Sequence, residues 1–425
     1  MKSLWIVNKC CGGLHRKLHG KKATGGQWLD AMLEEAAQFP DDRIVVVNIE
    51  KKPALASYQE GNVTYYTLTG EPNAQYDYKS HQSIAAWKAI LDKEKPDVIE
   101  IWGTEFPYSL AAMDAAPDIP AVIYVQGILD SIEKYYLSGL SHRELKQART
   151  LRDVLTGTTI RQTQKGFGKR AEYEKEIVRR AGHVIIENQW AAAYLRKLCP
   201  GVQVHFLPIS ISDSFRNQKW SEETMQPRTI MCPAADYPIK GLHMLMKALV
   251  IVKEQYPDVK LYIPGSPLKE TKTLKAKLKQ TGYARLISTM IQELELTDNM
   301  VYTGRLTADE MAQRMATVNC FAMTSAIENH SSTLKEAMTV GTPCVASYVG
   351  GVPEYAINEE NCLLYRYEDY EVLAQNICRI FQDGKLCIKL SQTAVASMER
   401  NQEKTDYEQM REVLIKAVSS KEQAI

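Results

Sequence analysis

The sequence predicts an α/β protein of two doubly wound, Rossmann-like domains, and three observations carry that reading. Short β-branched apolar runs alternate with amphipathic helical segments along the whole chain. The runs are near-continuously apolar, as strands of a parallel sheet covered on both faces must be. The alternation comes in two series, separated by the irregular stretch "FLPISISDSFRNQKWSEETMQPRT".

In chain order, "SLWIVN", "DRIVVVNI", "DVIEIWG", "AVIYVQG" and "HVIIEN" read as the strands of the first series. Segments such as "GGQWLDAMLEEAAQF" and "HQSIAAWKAILDKEK" between them have helical periodicity. The second series gives "TIMCPA", "VKLYIPG", "MVYTG", "CFAMTS" and "PCVAS", with "GLHMLMKALVIVKEQYP" and "LTADEMAQRMATV" as helices. The expected boundaries are a first domain over 1–208, a linker over 209–228 and a second domain over 229–404. Open parallel sheets bind ligands outside the carboxyl ends of their strands, so the site is expected in a central cleft that the two domains face.

One insertion breaks the rhythm. Residues 130–180 are helical and rich in Lys and Arg, including Arg143, Lys146, Arg149, Arg152, Arg161, Lys165 and Lys169. A solvated helical face accounts for such a segment, and so does a surface for an anionic lipid head group or a phosphate-bearing acceptor.

The bulk composition narrows the class. A hydrophobic content of 45%, a charged content of 24% and a formal net charge of +1 describe an ordinary globular chain, not a dedicated nucleic-acid binder. The nine cysteines are scattered apart from Cys10-Cys11, and no C-x-x-C pair or His/Cys cluster points to a metal. The opening "MKSLWIVNKCCGG" has too short an apolar run for a signal peptide, and no run approaches the roughly 20 apolar residues of a membrane span. A cytoplasmic protein is expected, with peripheral contact at the inner membrane face through the basic insertion.

The chemistry concentrates in "SAIENHSSTLKEAMTVGTPCVASYVGGVPE", Ser325 to Glu354. Helical periodicity from Ser331 to Val340 ends at Gly341, with Pro343 just beyond. The backbone amides of Asn329, His330, Ser331, Ser332 and Thr333 then open a helix, where unpaired N–H groups and the helix dipole favour phosphate. Glu336, one turn in, can accept from vicinal hydroxyls such as those of ribose, and Glu328 from hydroxyls of another ring. The implied ligand is a nucleotide sugar. Two acids that merely complement a helix dipole are the plain alternative.

This stretch, "ENHSSTLKEAM" followed by "GTPCVASYVGGVPE", resembles the E-x7-E signature of the family-four retaining glycosyltransferases. The resemblance extends upstream through "NMVYTGRLTADEMAQRMATVNCFAMTSAIE" and "YPIKGLHMLMKALVIVKEQYPDVKLYIPG", and more weakly to "PDVIEIWGTEFP" and "AGHVIIENQWAAAYL". It implies the GT-B fold, two Rossmann-like domains facing a cleft, with a C-terminal helix near 405–425 packing back on the first. It implies that Glu336 holds the ribose, that Glu328 contacts the donor sugar and that Lys240 of "PIKG" stabilises the leaving diphosphate. Gly25 and Gly26 would approach that diphosphate, while Gly265, Ser266, Gly304, Arg305 and Leu306 would line the nucleobase pocket. Trp28, Trp102, Glu105, Gln126 and Asn188, at strand ends or loops of the first domain, are the acceptor-side candidates.

The implied activity is retaining, metal-independent transfer from a UDP-sugar, or alternatively a GDP-sugar, to a glycan or lipid-linked acceptor in bacterial polysaccharide or glycolipid synthesis. Three departures from the family pattern stand out. Ala234, Ala235 and Asp236 occupy the stretch where a second cation often precedes the lysine, leaving Arg305 or Arg285 as replacements. Gln126 stands where a histidine is common, and Asn329-His330 replaces the usual Gly-Phe. A nicotinamide dehydrogenase does not fit "NKCCGGLHRKLHGKKATGG", which lacks G-x-G-x-x-G and also fails as a P-loop. A silent nucleotide-sugar-binding subunit and a GT-B epimerase are the remaining rivals.

Overall fold

Val and Ile crowd the strand segments, and two sheets buried on both faces result. The computed structural model describes residues 1–8, 10–20, 27–50, 57–69, 81–208, 211–233, 235–265, 279–399 and 404–422. The chain divides into two units, one of Met1–Leu129, Gly168–Ser210 and Asn401–Ile425, the other of Asp130–Phe167 and Ile211–Arg400.

Among the described residues, the first unit holds eight strands. They are β1 (Lys2–Val7), β2 (Arg43–Glu50), β3 (Ser57–Glu60), β4 (Val63–Thr69), β5 (Val98–Trp102), β6 (Ala121–Tyr124), β7 (His183–Ile186) and β8 (Gln203–Phe206). Their order is β3-β4-β2-β1-β5-β6-β7-β8, parallel throughout except for the β3–β4 hairpin. Alternation along each strand feeds two layers: Leu4, Ile6, Ile99 and Ile101 face one, Trp5, Val7, Val98 and Trp102 the other. The Asp406–Glu422 helix closes the second layer with buried Tyr407, Met410 and Leu414. Its Arg411 Nε donates to Asp42 Oδ2 at 2.6 Å, and the Tyr407 hydroxyl donates to the same oxygen at 3.0 Å.

The second unit holds six described strands: β9 (Gln226–Met231), β10 (Lys260–Pro264), β11 (Met300–Gly304), β12 (Val318–Met323), β13 (Cys344–Ser347) and β14 (Leu363–Tyr365). The order is β11-β10-β9-β12-β13-β14, all parallel. The sheet therefore grows outward in both directions from β9, and its topological switch point lies between β9 and β12.

Two expected boundaries are corrected. Residues 130–167 cluster with the second unit, not the first. Specific contacts hold them there: the Ser138 carbonyl accepts from His243 Nε2 at 2.8 Å and from the Tyr367 hydroxyl at 2.9 Å. Lys247 pairs with Glu144 at 2.9 Å, and Gly282 N–H donates to Asp153 at 2.5 Å. Burial draws His243 down to about 4, so its ring is neutral at pH 7. The linker expected over 209–228 is likewise mostly part of the second unit. Phe215 is buried there, and Trp220 donates its indole N–H to Val318 O at 2.8 Å; positions 209 and 210 lie outside the described residues.

Gly282 marks the closest approach of the 130–167 segment, since a Cβ there would stand 1.6 Å from the Ala148 carbonyl oxygen. Gly282→Ala is expected to cost about 1–3 kcal/mol through overpacking against backbone. Thermal unfolding checks this, together with limited proteolysis, which should cut the variant faster within 130–167.

Candidate functional site

Lys240 follows β9 and Glu328 follows β12, so the two side chains flank the switch point of the second sheet. Backbone contacts that only glycine permits hold their loops. Gly241, which ends the Pro238–Lys240 turn at φ 70°, has no room for a Cβ, which would meet Thr324 O at 1.7 Å. Thr324 Oγ1 donates to Lys240 O at 3.1 Å, and Ala326 N–H to Ile239 O at 2.8 Å. From the β13 side, Gly350 at φ 52° would put a Cβ 1.8 Å from Glu328 O, which accepts from Gly351 N–H at 3.2 Å. Ser347 Oγ donates to Ser325 O at 2.6 Å.

Within this frame Lys240 Nζ meets Glu328 Oε1 at 2.6 Å, and Ser325 Oγ donates to the same oxygen at 2.5 Å. Burial pulls the Lys240 ammonium down, but Glu328 and Tyr237 outweigh it and leave the group raised, firmly cationic. The Ser332–Val340 helix begins directly after, capped by Ser331, whose side chain accepts from Leu334 N–H at 3.3 Å. Among the described residues the N–H groups of Ser332 and Thr333 have no partner, while that of Ser331 is taken by the Tyr355 hydroxyl at 3.2 Å. Asn329 and His330 are buried against this turn. The row of five free amides expected from the sequence is thus shorter by at least one.

Glu336 is half-buried with no hydrogen bond or ion pair among the described residues. Burial raises its carboxyl to about 7. A fixed cation, free amides at a helix start and two carboxylates are groups that could receive a diphosphate and hydroxyl-bearing rings.

Other expected donor residues fall on neighbouring strand ends. Gly265 N–H donates to Gly304 O at 2.7 Å, at positive φ of 110° and 78° respectively. Arg305 beside them is exposed and Leu306 half-buried, whereas Arg285 is exposed on the Gly282–Glu293 helix. Gly25, Gly26, Ser266 and Ala234 lie outside the described residues.

In the first unit, Glu105 follows β5 at that sheet's own switch point, and Asn8 Nδ2 donates to it at 2.6 Å. Gln126 follows β6, half-buried. Two acceptor candidates are corrected. Trp102 is 1% exposed, stacked on Tyr124 at 4.6 Å and on Trp28 at 5.2 Å, so it packs the core and offers a ligand no surface. Asn188 is buried and caps the Gln189–Leu198 helix, its Oδ1 accepting from Ala191 N–H at 2.8 Å. Trp28 remains half-buried at the edge of that aromatic stack. Sequence reasoning missed Asn8, Tyr355 and the spacing duties of Gly241 and Gly350. Only the glycines left a trace, in "IKG" and "YVGGVPE".

The raised Glu336 carboxyl has a thermodynamic signature. Its folded value of about 7 lies above its unfolded value of about 4.5, so the native state binds more protons in that window and stability falls as pH rises through it. Glu336→Gln is expected to match wild type below pH 4.5 and to exceed it by on the order of 2 kcal/mol at pH 8. Urea unfolding at the two pH values measures this.

Residues 214–396 match the family described as "Glycosyl transferases group 1". The chain is 28% identical over 160 residues to the MMP alpha-(1->4)-mannosyltransferase of Mycolicibacterium hassiacum, covering 38% of this chain and 35% of that protein. It is 27% identical over 163 residues to the GDP-mannose-dependent alpha-(1-6)-phosphatidylinositol monomannoside mannosyltransferase of Mycolicibacterium smegmatis, covering 37% and 39%. These matches thus span little more than a third of each relative. Over nearly whole chains the fold is that of sucrose-phosphate synthase from Thermosynechococcus elongatus, with a TM-score of 0.69, 18% identity and coverage of 100% and 98%. Anabaena HepE, solved in complex with UDP and glucose, gives a TM-score of 0.66 at 18% identity, covering 98% and 100%. Residues 214–396 are thus similar to the group 1 glycosyl transferases, and the two-sheet architecture of the chain is the GT-B fold.

Proposed function

We propose that the chain is a retaining glycosyltransferase that moves a hexosyl group from a nucleoside diphosphate sugar to a glycan or lipid-linked acceptor. The observation that carries this reading is the Lys240–Glu328 pair at the switch point, with the free amides of Ser332 and Thr333 and the carboxyl of Glu336 on the helix that follows. Lys240 and the helix start supply the positive charge that a departing diphosphate needs, which is why we assign that work to the chain and not to a metal ion. Glu336 holds the ribose hydroxyls, and Glu328 orients the donor sugar. Gly265, Gly304, Arg305 and Leu306 border the base. Gly25, Gly26 and Ser266 belong to the same donor set on the strength of the resemblance.

In the proposed reaction the acceptor hydroxyl attacks the anomeric carbon on the face the diphosphate leaves. The new C–O bond forms as the bond to phosphate breaks; the electron pair departs with the phosphate oxygen, which also takes the hydroxyl proton. Catalysis then rests on positioning and charge. Glu105 and Gln126, at strand ends of the first unit, are the remaining polar acceptor candidates, and Trp28 is the remaining aromatic one. HepE was solved with UDP and glucose, which favours a UDP-sugar, while a GDP-mannose-dependent relative keeps a GDP-sugar as the alternative. A bacterial polysaccharide or glycolipid is the proposed product, made at the inner membrane face. Among the described residues no helix is long and apolar enough to cross a membrane.

Calorimetry with UDP, GDP, ADP and their sugars tests the reading. One nucleotide family is expected to bind, with affinity rising about ten-fold from pH 6 to pH 8 as Glu336 ionises, and a flat profile in Glu336→Gln. Lys240→Ala is expected to lower kcat on the matching sugar about 10²–10³-fold, with donor affinity reduced less. Donor binding without transfer to any glycan or lipid-linked acceptor would favour the silent-subunit reading, and no nucleotide binding by folded protein would overturn both.

A further inference from the structure

The basic segment that docks on the second unit forms a feature outside the donor site. The helices His142–Gln147 and Leu151–Thr156 and the start of the Ile160–Ala181 helix enclose a concavity of about 410 Å³. It is lined by the basic side chains of His142, Lys146, Arg149 and Arg161 and by apolar ones that include Leu145 and the buried Ile160. Arg161 lies 3.3 Å from His142 Nδ1, yet Lys146, Arg149 and Arg161 have no acidic partner among the described residues. The carboxylates within 142–162 are already committed. Glu144 pairs with Lys247 at 2.9 Å and takes the Ser141 N–H, which together hold it down to about 2 despite burial. Asp153 takes Arg152 at 2.7 Å and Gly282 N–H at 2.5 Å. Among the described residues the pocket's positive charge therefore has no acidic counterpart.

Beside it two large apolar side chains stand in solvent. Leu151 is 67% exposed and Leu155 77% exposed, four residues apart on one side of the same short helix. Leucines that project from a basic face, next to a concavity of unpaired cations, match a surface with negative head groups above an apolar interior. A soluble protein partner would leave the cation-lined pocket unexplained; a free phosphate would leave the leucines unexplained.

We infer that this face docks on an anionic membrane, with Lys146, Arg149 and Arg161 around a lipid head-group phosphate and Leu151 and Leu155 entering the acyl boundary. The inference goes beyond the proposed donor chemistry and does not depend on it. Co-sedimentation of the full chain with phosphatidylglycerol vesicles, against phosphatidylcholine vesicles as control, tests it. Binding is expected only to the former, weakened at least about ten-fold in Arg149→Glu/Arg161→Glu and in Leu151→Ser/Leu155→Ser. All four residues are exposed, so circular dichroism of both variants should match wild type. No binding to phosphatidylglycerol, or binding unchanged in either variant, overturns the proposal. So does calorimetric binding of soluble glycerol 3-phosphate as tight as that to the vesicles. Nucleotide binding unchanged in both variants keeps this result separate from the donor site.

Discussion

The donor-site reading rests on a backbone constraint before it rests on any side chain. The loop carrying Glu328 is held between two others that touch its backbone where no Cβ fits, at Gly241 against Thr324 O and at Gly350 against Glu328 O. Glycine is the residue that allows both the positive φ and the close approach. Those contacts fix Glu328 and Lys240 within 2.6 Å of each other and deliver the chain into a helix whose first amides are unspent. Remove the fit, and the charges and the helix start lose their common origin.

Charge then follows from position. Lys240 stays cationic because Glu328 and Tyr237 overcome the cost of burial. Glu336, half-buried and without a partner among the described residues, is held between its two protonation states near neutrality. The resting site thus keeps one carboxylate neutralised by a lysine and another partly neutralised by a proton, an arrangement suited to a ligand that brings both phosphates and hydroxyls. In the resting pair Lys240 is committed to Glu328, so a bound diphosphate must share or replace that partner.

The strands were legible because buried parallel strands are continuous apolar runs, and "DRIVVVNI" or "HVIIEN" reads as little else. The β3–β4 hairpin was not, since "SYQEGNVTYYTLT" is polar and sits at the sheet edge. The allegiance of residues 130–167 was hidden for another reason. It depends on His243, Gly282 and Tyr367, partners more than 100 residues away. At the candidate site, spacing and resemblance single out Glu328, Lys240 and Glu336, while Tyr355 and the duties of Gly241 and Gly350 exist only in three dimensions. Trp102 misled because its place at a strand end says nothing of its side, and its parity with Val98 turns it into the core.

The most direct test of the donor site is a crystal structure of the protein grown with uridine diphosphate. Ribose hydroxyls are expected on the Glu336 carboxylate, with diphosphate oxygens on Lys240 Nζ and the amides of Ser332 and Thr333. A nucleotide bound elsewhere, with Lys240 still given wholly to Glu328, would contradict that assignment.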